Sequence, residues 1–337
     1  MSTPVPPPVR ASVTAAGVGE LALDRPSALN ALDLTMVRLM KQALEGWRDD
    51  PAVRSVVVRS ESPKAFCAGG DIRAVRAAAL AGDDAAVREY FATEYALNAL
   101  IAAYPKPYTA VIDGYAMGGG LGISVHGSAR VVTDRAAFSM PETSIGFFPD
   151  IGASYFLPRL PGAVGRYLGL TGARISGAAA VECGLATHYV AATELPSLVE
   201  ELLGGAEPRS RPAGHSELTG LYEAIDRCFG PGGLDEVAAR LRAEDSAWAR
   251  ETLRTLGGAS PMSLDVTDEL LRTGAELPLA ECLAHELELA CEVSRSHDFA
   301  EGVRAALVDR DRSPRWERRG DGGRHPFVSD GVGVEGS

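Results

Sequence analysis

The fold is decided by Ala110 to Gly162, AVIDGYAMGGGLGISVHGSARVVTDRAAFSMPETSIGFFPDIGASYFLPRLPG. It enters on a buried-strand pattern, Tyr108 to Ile112, which breaks at Asp113-Gly114. Three glycines follow, Gly118, Gly119 and Gly120, ahead of an apolar run from Leu121 to Val125. A strand feeding a glycine turn that opens a helix leaves backbone N–H groups unpaired and aimed into one space. With the positive end of the helix dipole they attract an oxygen carrying negative charge. Pro141-Glu142 and Pro149-Asp150 come next, two carboxylates on loop-like segments in otherwise apolar sequence. Acid–base chemistry needs such groups, held near an electrophile and partly stripped of water.

A second turn of the same kind lies upstream. Arg54 to Ser60 (RSVVVRS) reads as a short buried strand, and Lys64 to Ile72 (KAFCAGGDI) repeats strand, small-residue turn and helix. Two glycine turns can then each offer an N–H to one oxygen. AFCAGGDI with GYAMGGGLG resembles the enoyl-CoA hydratase/isomerase (crotonase) superfamily. The resemblance implies an α/β fold, a crotonase-like (ββα)n spiral core with a helical C-terminal region. It also implies that the N–H groups of Gly70 and Gly119 form an oxyanion hole for an acyl-CoA thioester carbonyl.

Crotonase hydratases carry two glutamates, one just after the triple glycine and one about twenty residues later. Here the second is Glu142, but the first position holds Gly122. The run GGGLGISVHG…MPETSIGFFPDIGASYFLPRL is instead similar to 3-hydroxyisobutyryl-CoA hydrolases, as are Glu94-Tyr95-Ala96-Leu97-Asn98 and His297 to Ala305. The resemblance is dense from Leu21 to His188 and extends to about Trp316. It implies hydrolysis of a short 3-hydroxyacyl-CoA, 3-hydroxyisobutyryl-CoA above all, and a place in valine catabolism.

On this resemblance Glu142 either activates water or attacks the carbonyl to give a mixed anhydride, and the sequence does not choose. Asp150 and Glu94 orient the 3-hydroxyl and the water. Arg25, Ala28, Ala68, Gly70, Asp71, Ile72 and Gly119 line the path of CoA, with Arg25 meeting a phosphate or serving only as a turn arginine. CoA is then part of the substrate, and neither a cofactor nor a metal is expected. A homo-oligomer fits, trimers being common in the superfamily. Gly122 makes chemical sense in this setting, because a glutamate there would help expel the 3-hydroxyl as water. Gly122→Glu is accordingly expected to restore slow dehydration. The alternatives are an enoyl-CoA hydratase or isomerase working with Glu142 alone, and a non-catalytic acyl-CoA-binding protein.

The 337 residues suffice for a full core, and 46% hydrophobic with 23% charged residues is ordinary for a globular chain. A net charge of −12 argues against a nucleic-acid face without forbidding an anionic ligand met by local arginines. The five cysteines show no CxxC spacing, so neither a disulfide framework nor a zinc site is indicated. With no targeting segment and no apolar run of membrane-spanning length, a cytoplasmic location is expected.

The domain plan has a flexible N-terminus over 1–10 and an α/β core over 11–203. A linker over 204–215 follows, then a helical region over 216–317 and a disordered tail over 318–337. Within the core, Val13 to Leu23 reads as a hairpin turning at Gly17-Val18-Gly19. That turn formally fits GxGxxA, but Asp24-Arg25-Pro26 leaves no room for the helix a dinucleotide site needs. Leu34 to Trp47 is a helix started by Asp33 or Thr35, and a second helix runs from Asp83 or Asp84 to about Ala103. Glu94 falls on the apolar face of that second helix, an expensive place for a carboxylate without a partner. Helix patterns then cover about 217–229, 234–243, 246–256, 261–273, 278–295 and 299–308. Ser124 lacks the closing glycine of a nucleophile elbow, and His285-Glu286 lacks the second histidine of a zinc helix. His126 and His188 read as structural, and Phe147 and Phe148 as pocket wall or core.

Overall fold

The β-branched runs become strands of two sheets in a computed structural model that describes residues 7–318 and 325–328. The larger sheet has the order β1 (Val9–Val13), β2 (Val18–Leu23), β3 (Ser55–Ser60), β5 (Tyr108–Ile112), β7 (Ala129–Thr133), β10 (His188–Val190). Only the β1–β2 hairpin in it is antiparallel. The smaller sheet is β4 (Ala65–Cys67), β6 (Tyr115–Met117), β8 (Ala137–Ser139), β9 (Ile175–Ser176), parallel except at β8–β9. Each of β3, β5 and β7 is followed by one short strand of the smaller sheet, so the chain climbs as a spiral with one strand per sheet in every turn. That is the expected crotonase-like repeat.

Helices close each turn. Asp33 caps α1 (Leu34–Arg48), its side chain accepting from Met36 N–H at 2.8 Å, and α2 (Ile72–Leu80) follows β4. Asp83 caps α3 (Asp84–Ala102) by accepting from Ala86 N–H at 3.0 Å. The triple glycine opens a single turn, α4 (Gly119–Gly122). Short helices α5 (Ala153–Phe156), α6 (Val164–Thr171) and α7 (Gly177–Glu182) precede β10. Then α8 (Leu195–Leu203) lays Leu198 and Leu202 on Val18, Val57, Val111 and Val131, covering the outer face of the larger sheet. This two-sided burial explains why β3 and β5 read as unbroken apolar runs.

The C-terminal helices are α9 (Tyr222–Phe229), α10 (Leu234–Glu244), α11 (Ala247–Gly257), α12 (Pro261–Gly274), α13 (Leu279–Val293) and α14 (His297–Val303). A single π-helical turn, Arg304–Val308, continues α14. One continuous core runs from Val9 to Phe327, so this region shares the body's core and does not stand as a separate domain.

Several boundaries differ from the sequence expectation. The hairpin begins at Val9, so Val9 and Arg10 are ordered strand, with Asp24 N–H bonded to Pro8 C=O at 2.8 Å. Its turn is 14–17, because Gly17 takes φ 75°, while Val18 and Gly19 already pair in β2. Residues 217–221 are turns that only then enter α9. The expected linker is docked on the body. Arg209 and Arg211 both pair with Glu194, and Arg211 N–H bonds Tyr189 C=O at 2.8 Å. In the expected tail, Phe327 is buried and Arg242 donates to Pro326 C=O at 2.7 Å. The rest of that tail beyond Arg318, like residues 1–6, lies outside the described residues.

Candidate active site

Strands β4 and β6 run parallel and adjacent in the smaller sheet, with Cys67 opposite Ala116. Their C-terminal ends therefore deliver the turns at Ala68–Gly70 and Gly118–Gly119 side by side. A Cβ on Gly119 would lie 3.4 Å from Gly70 N and would overlap Glu94 Oε1. Among the described residues neither the Gly70 nor the Gly119 N–H meets a protein acceptor. The Gly119 N–H is free because it opens a helix and has no carbonyl one turn back.

Each glycine of the triplet has its own neighbour to clear. A Cβ on Gly118, which takes φ 44°, would sit 2.7 Å from Glu142 Oε1, and one on Gly120 would sit 2.5 Å from Cys67 C=O. The triplet thus lets the β6 turn lie against β4 on one side and against two carboxylates on the other.

A cavity of about 190 Å³ opens between these turns. Ala68, Gly70, Ile72 and Gly119 line it together with Glu94, Glu142 and Asp150. Met117, Ile145, Phe147 and Leu307 supply apolar wall. Glu94 comes from the middle of α3, Glu142 from the 3-10 turn Glu142–Ile145, and Asp150 from the segment before α5. All three are buried, and neither Glu94 Oε1 nor Glu142 Oε2 has a protein partner. Glu94 is thus the unpaired carboxylate on an apolar helix face that its spacing marks as expensive.

Burial pushes the carboxyls of Glu94 and Glu142 well above the usual range, and the nearby charge of Asp150 adds to it. Burial raises Asp150 to about 7, although the Tyr95 hydroxyl, donating at 2.7 Å, pulls the other way. Asp150, raised to about 7, exchanges protons near neutral pH, which is what a general base or acid requires. A carboxylate pair facing two converging N–H donors can add a nucleophile to a carbonyl and hold the resulting oxyanion.

The remaining sequence candidates sit outside the cavity wall. Arg25 spends its guanidinium on Asp71 at 3.0 Å, Asp33 at 3.5 Å and the Ala31 carbonyl at 2.8 Å. Arg25 and Asp71 thus neutralise each other beside the turn. Ala28 ends a 3-10 turn whose successor Leu29 accepts from Ala68 N–H at 3.0 Å, so that loop braces the first glycine turn from outside.

Position 122 is tightly enclosed. A Cβ there would lie 2.8 Å from Asn98 Nδ2 and 2.9 Å from Ile151 Cβ. A glutamate at 122, expected to restore slow dehydration, would have to displace Asn98 and Ile151, which fill its space. Sequence reasoning also missed Tyr95, although it stands beside Glu94 on α3, and Leu307, which only the π turn brings over the cavity. His126 is structural as expected, with Nε2 2.7 Å from the Ile151 carbonyl. Phe147 is cavity wall and Phe148 is core. Among the described residues no group of three or more His, Cys, Asp or Glu side chains is placed to hold a metal ion. Among the same residues no helix is long and apolar enough to cross a membrane.

Two sheets climbing in (ββα) turns, with glycine turns and carboxylates at one end, define a crotonase-like α/β protein. The chain belongs to the enoyl-CoA hydratase/isomerase family, whose model matches residues 18–320. Within it, the chain is 41% identical over 321 residues to the 3-hydroxyisobutyryl-CoA hydrolase, mitochondrial, of Xenopus tropicalis, covering 90% of this chain and 83% of that protein. A solved enoyl-CoA hydratase from Rhodobacter sphaeroides 2.4.1 superposes with TM-score 0.88 at 41% identity over 92% of both chains. A solved carnitinyl-CoA dehydratase from Mycobacterium thermoresistibile gives 0.86 at 37% identity over 96% of both.

Proposed function

We infer that the protein is an acyl-CoA thioester hydrolase acting on a short 3-hydroxyacyl-CoA, 3-hydroxyisobutyryl-CoA above all. The observation that carries this is the pairing of a buried Glu142 with an occupied space at Gly122. Of the two positions at which a hydratase of the family carries a glutamate, only that of Glu142 holds one here, and position 122 is glycine. The similarity to a protein named as that hydrolase supports the same substrate.

In the proposed reaction the thioester oxygen sits between the Gly70 and Gly119 N–H groups. Each such donor is typically worth about 3–4 kcal/mol to a transition state. Glu142 acts by one of two routes. It takes a proton from water, which adds to the carbonyl, or its own oxygen adds and a mixed anhydride is then hydrolysed. Either way the C–S bond breaks and CoA leaves as its thiol. Asp150, held by Tyr95, and Glu94 orient the 3-hydroxyl and the water. CoA enters as part of the substrate, and no cofactor takes part. Single turnover in H₂¹⁸O with hydroxylamine trapping separates the routes: label on Glu142 marks an anhydride opened at the glutamyl carbonyl, a trapped Glu142 hydroxamate marks an anhydride whichever carbonyl water attacks, and general-base catalysis gives neither.

The free acid so formed belongs to valine degradation in this reading. Five buried free cysteines fit a reducing compartment, the cytoplasm here, although the amphibian relative is named as mitochondrial. A homo-oligomer, tested by light scattering, is part of the same proposal.

The names of the two solved neighbours favour a hydratase or dehydratase as the rival. Assaying 3-hydroxyisobutyryl-, 3-hydroxypropionyl-, crotonyl- and acetyl-CoA separates them. Free thiol, fastest from the 3-hydroxy substrates, is the expected product; enoyl interconversion without thiol would replace the hydrolase reading.

A further inference from the structure

The segment behind Asp150 is held in an unusual way. Ile151 takes φ 58° and Gly152 φ 85°, two consecutive left-handed residues. The first is β-branched, for which that conformation is a genuine outlier. Backbone of this kind persists only where its surroundings over-determine it. Here the surroundings come from two sides. On one, His126 Nε2 lies 2.7 Å from the Ile151 carbonyl, and since a carbonyl only accepts, that nitrogen carries the proton. On the other is Glu286 of α13, completely buried and 134 residues away in sequence. Its Oε2 accepts from Gly152 N–H at 2.6 Å, and its Oε1 accepts from Ser154 N–H at 3.0 Å and from the Ser154 hydroxyl at 2.6 Å.

A buried carboxylate that accepts from two backbone N–H groups of one tight corner fixes that corner's orientation. The corner in turn aims Asp150, one residue earlier, at the Tyr95 hydroxyl and into the cavity. We propose that Glu286 is a positioning residue for Asp150, and that through it the helical C-terminal region sets the geometry of the active site. This rests on the reading of Asp150 as a working carboxylate of the hydrolase.

The test uses Glu286→Gln, Ser154→Ala and, as a control on the same helix, the exposed Glu281→Gln. Glutamine keeps the volume but sets an amide donor against a backbone N–H in either orientation. Folded Glu286→Gln protein should bind CoA with KM within about threefold of wild type while kcat falls about 10–100-fold, as supporting partners of site residues typically do. Ser154→Ala removes one of the three hydrogen bonds and should lower kcat several-fold with KM unchanged, and Glu281→Gln should do nothing. Crystal structures of Glu286→Gln and Ser154→Ala should show Ile151 leaving positive φ and Asp150 withdrawn from Tyr95. Wild-type kcat in folded Glu286→Gln, or an unmoved Asp150 in it, overturns the proposal. Should Glu286→Gln not fold, Ser154→Ala decides by the same readouts. Absence of thiol release from the wild type would sink the hydrolase reading alone, leaving the crystal structures to judge the brace.

Discussion

A side chain at position 122 would enter space already held by Asn98 and Ile151. Adding even a methylene to a filled site typically costs about 1–3 kcal/mol. Gly122→Glu alone should therefore melt earlier than wild type and form no enoyl product. Cutting back its neighbour, in Asn98→Ala/Gly122→Glu, should admit the carboxylate opposite Glu142 and give slow dehydration of 3-hydroxybutyryl-CoA, seen as enoyl absorbance without thiol. A folded, CoA-binding double variant that shows none would mean Gly122 has no part in separating hydrolysis from dehydration. Glu142→Gln keeps size and packing but loses both base and nucleophile. Thiol release should drop by about 10²–10⁴-fold, the usual loss for a general base, with the melting curve preserved. Near-full activity in that variant would take Glu142 out of the mechanism. Asp150, raised to about 7, adds a pH signature. If its ionised form is the working one, kcat/KM should climb with pH through about 7, and Asp150→Asn should abolish that limb.

The adjacency of β4 and β6 is what makes one site from two turns. Gly119→Pro removes one of the two N–H donors and crowds Glu94 Oε1, which lies where its Cβ would go. It should cost at least 100-fold in kcat, in line with losing a single oxyanion donor. Normal hydrolysis by this variant would refute the two-turn arrangement. The loop carrying Glu142 is fixed differently, against the C-terminal helices. Ser260 N–H, at the start of α12, donates to the Thr143 carbonyl at 3.1 Å, and the Ser260 hydroxyl donates to Asp298 of α14 at 2.5 Å. Gly146 closes this loop with φ 73°, and a Cβ there would overlap the Asp298 backbone carbonyl. Gly146→Ala combines a left-handed penalty with a clash against unyielding backbone. A loss of about 3 kcal/mol or more in denaturant unfolding is expected, and an unchanged midpoint would show the α14 contact to be soft.

Gathering several acids in one interior has a consequence for the whole molecule. Asp150 rises from an ordinary 3.8 to about 7, and burial lifts Glu94 and Glu142 well above the usual carboxylate range. The folded protein then keeps protons that the unfolded chain has released. Folding is favoured fully below about 4, and its advantage drains away as pH rises through about 7. Surface pairs act in the opposite sense and lower. Glu301, held down to about 2 by Arg304, contributes stability that is present above its unfolded value and lost as pH falls towards 2. The free protein should thus be most stable at mildly acidic pH and melt at a lower temperature at pH 8.5 than at pH 5.5. Asp150→Asn should flatten that decline, and a melting temperature rising from 5.5 to 8.5 would contradict the buried-acid account.

What the sequence by itself determined is local in origin. Val56 to Val58 and Tyr108 to Ile112 announce buried strands, Asp33 and Asp83 announce helix starts, and the glycine turns announce unpaired N–H groups. These follow from periodicity, capping and backbone freedom, which act over a few residues. Motif order then carried the family and with it Glu94, Glu142 and Asp150. Only the tertiary structure decided which groups meet. Glu286 touches Gly152 across 134 residues, and a lone glutamate on a helix bears no local mark of such a partner. The termini show the same limit. Proline-rich composition predicts fraying near residue 8, yet β1 is held by pairing with β2, and Phe327 is held by burial against the core. Arg25 and Asp71, both placed along CoA by motifs, also pair with each other at 3.0 Å, a contact between residues 46 apart that no local pattern marks.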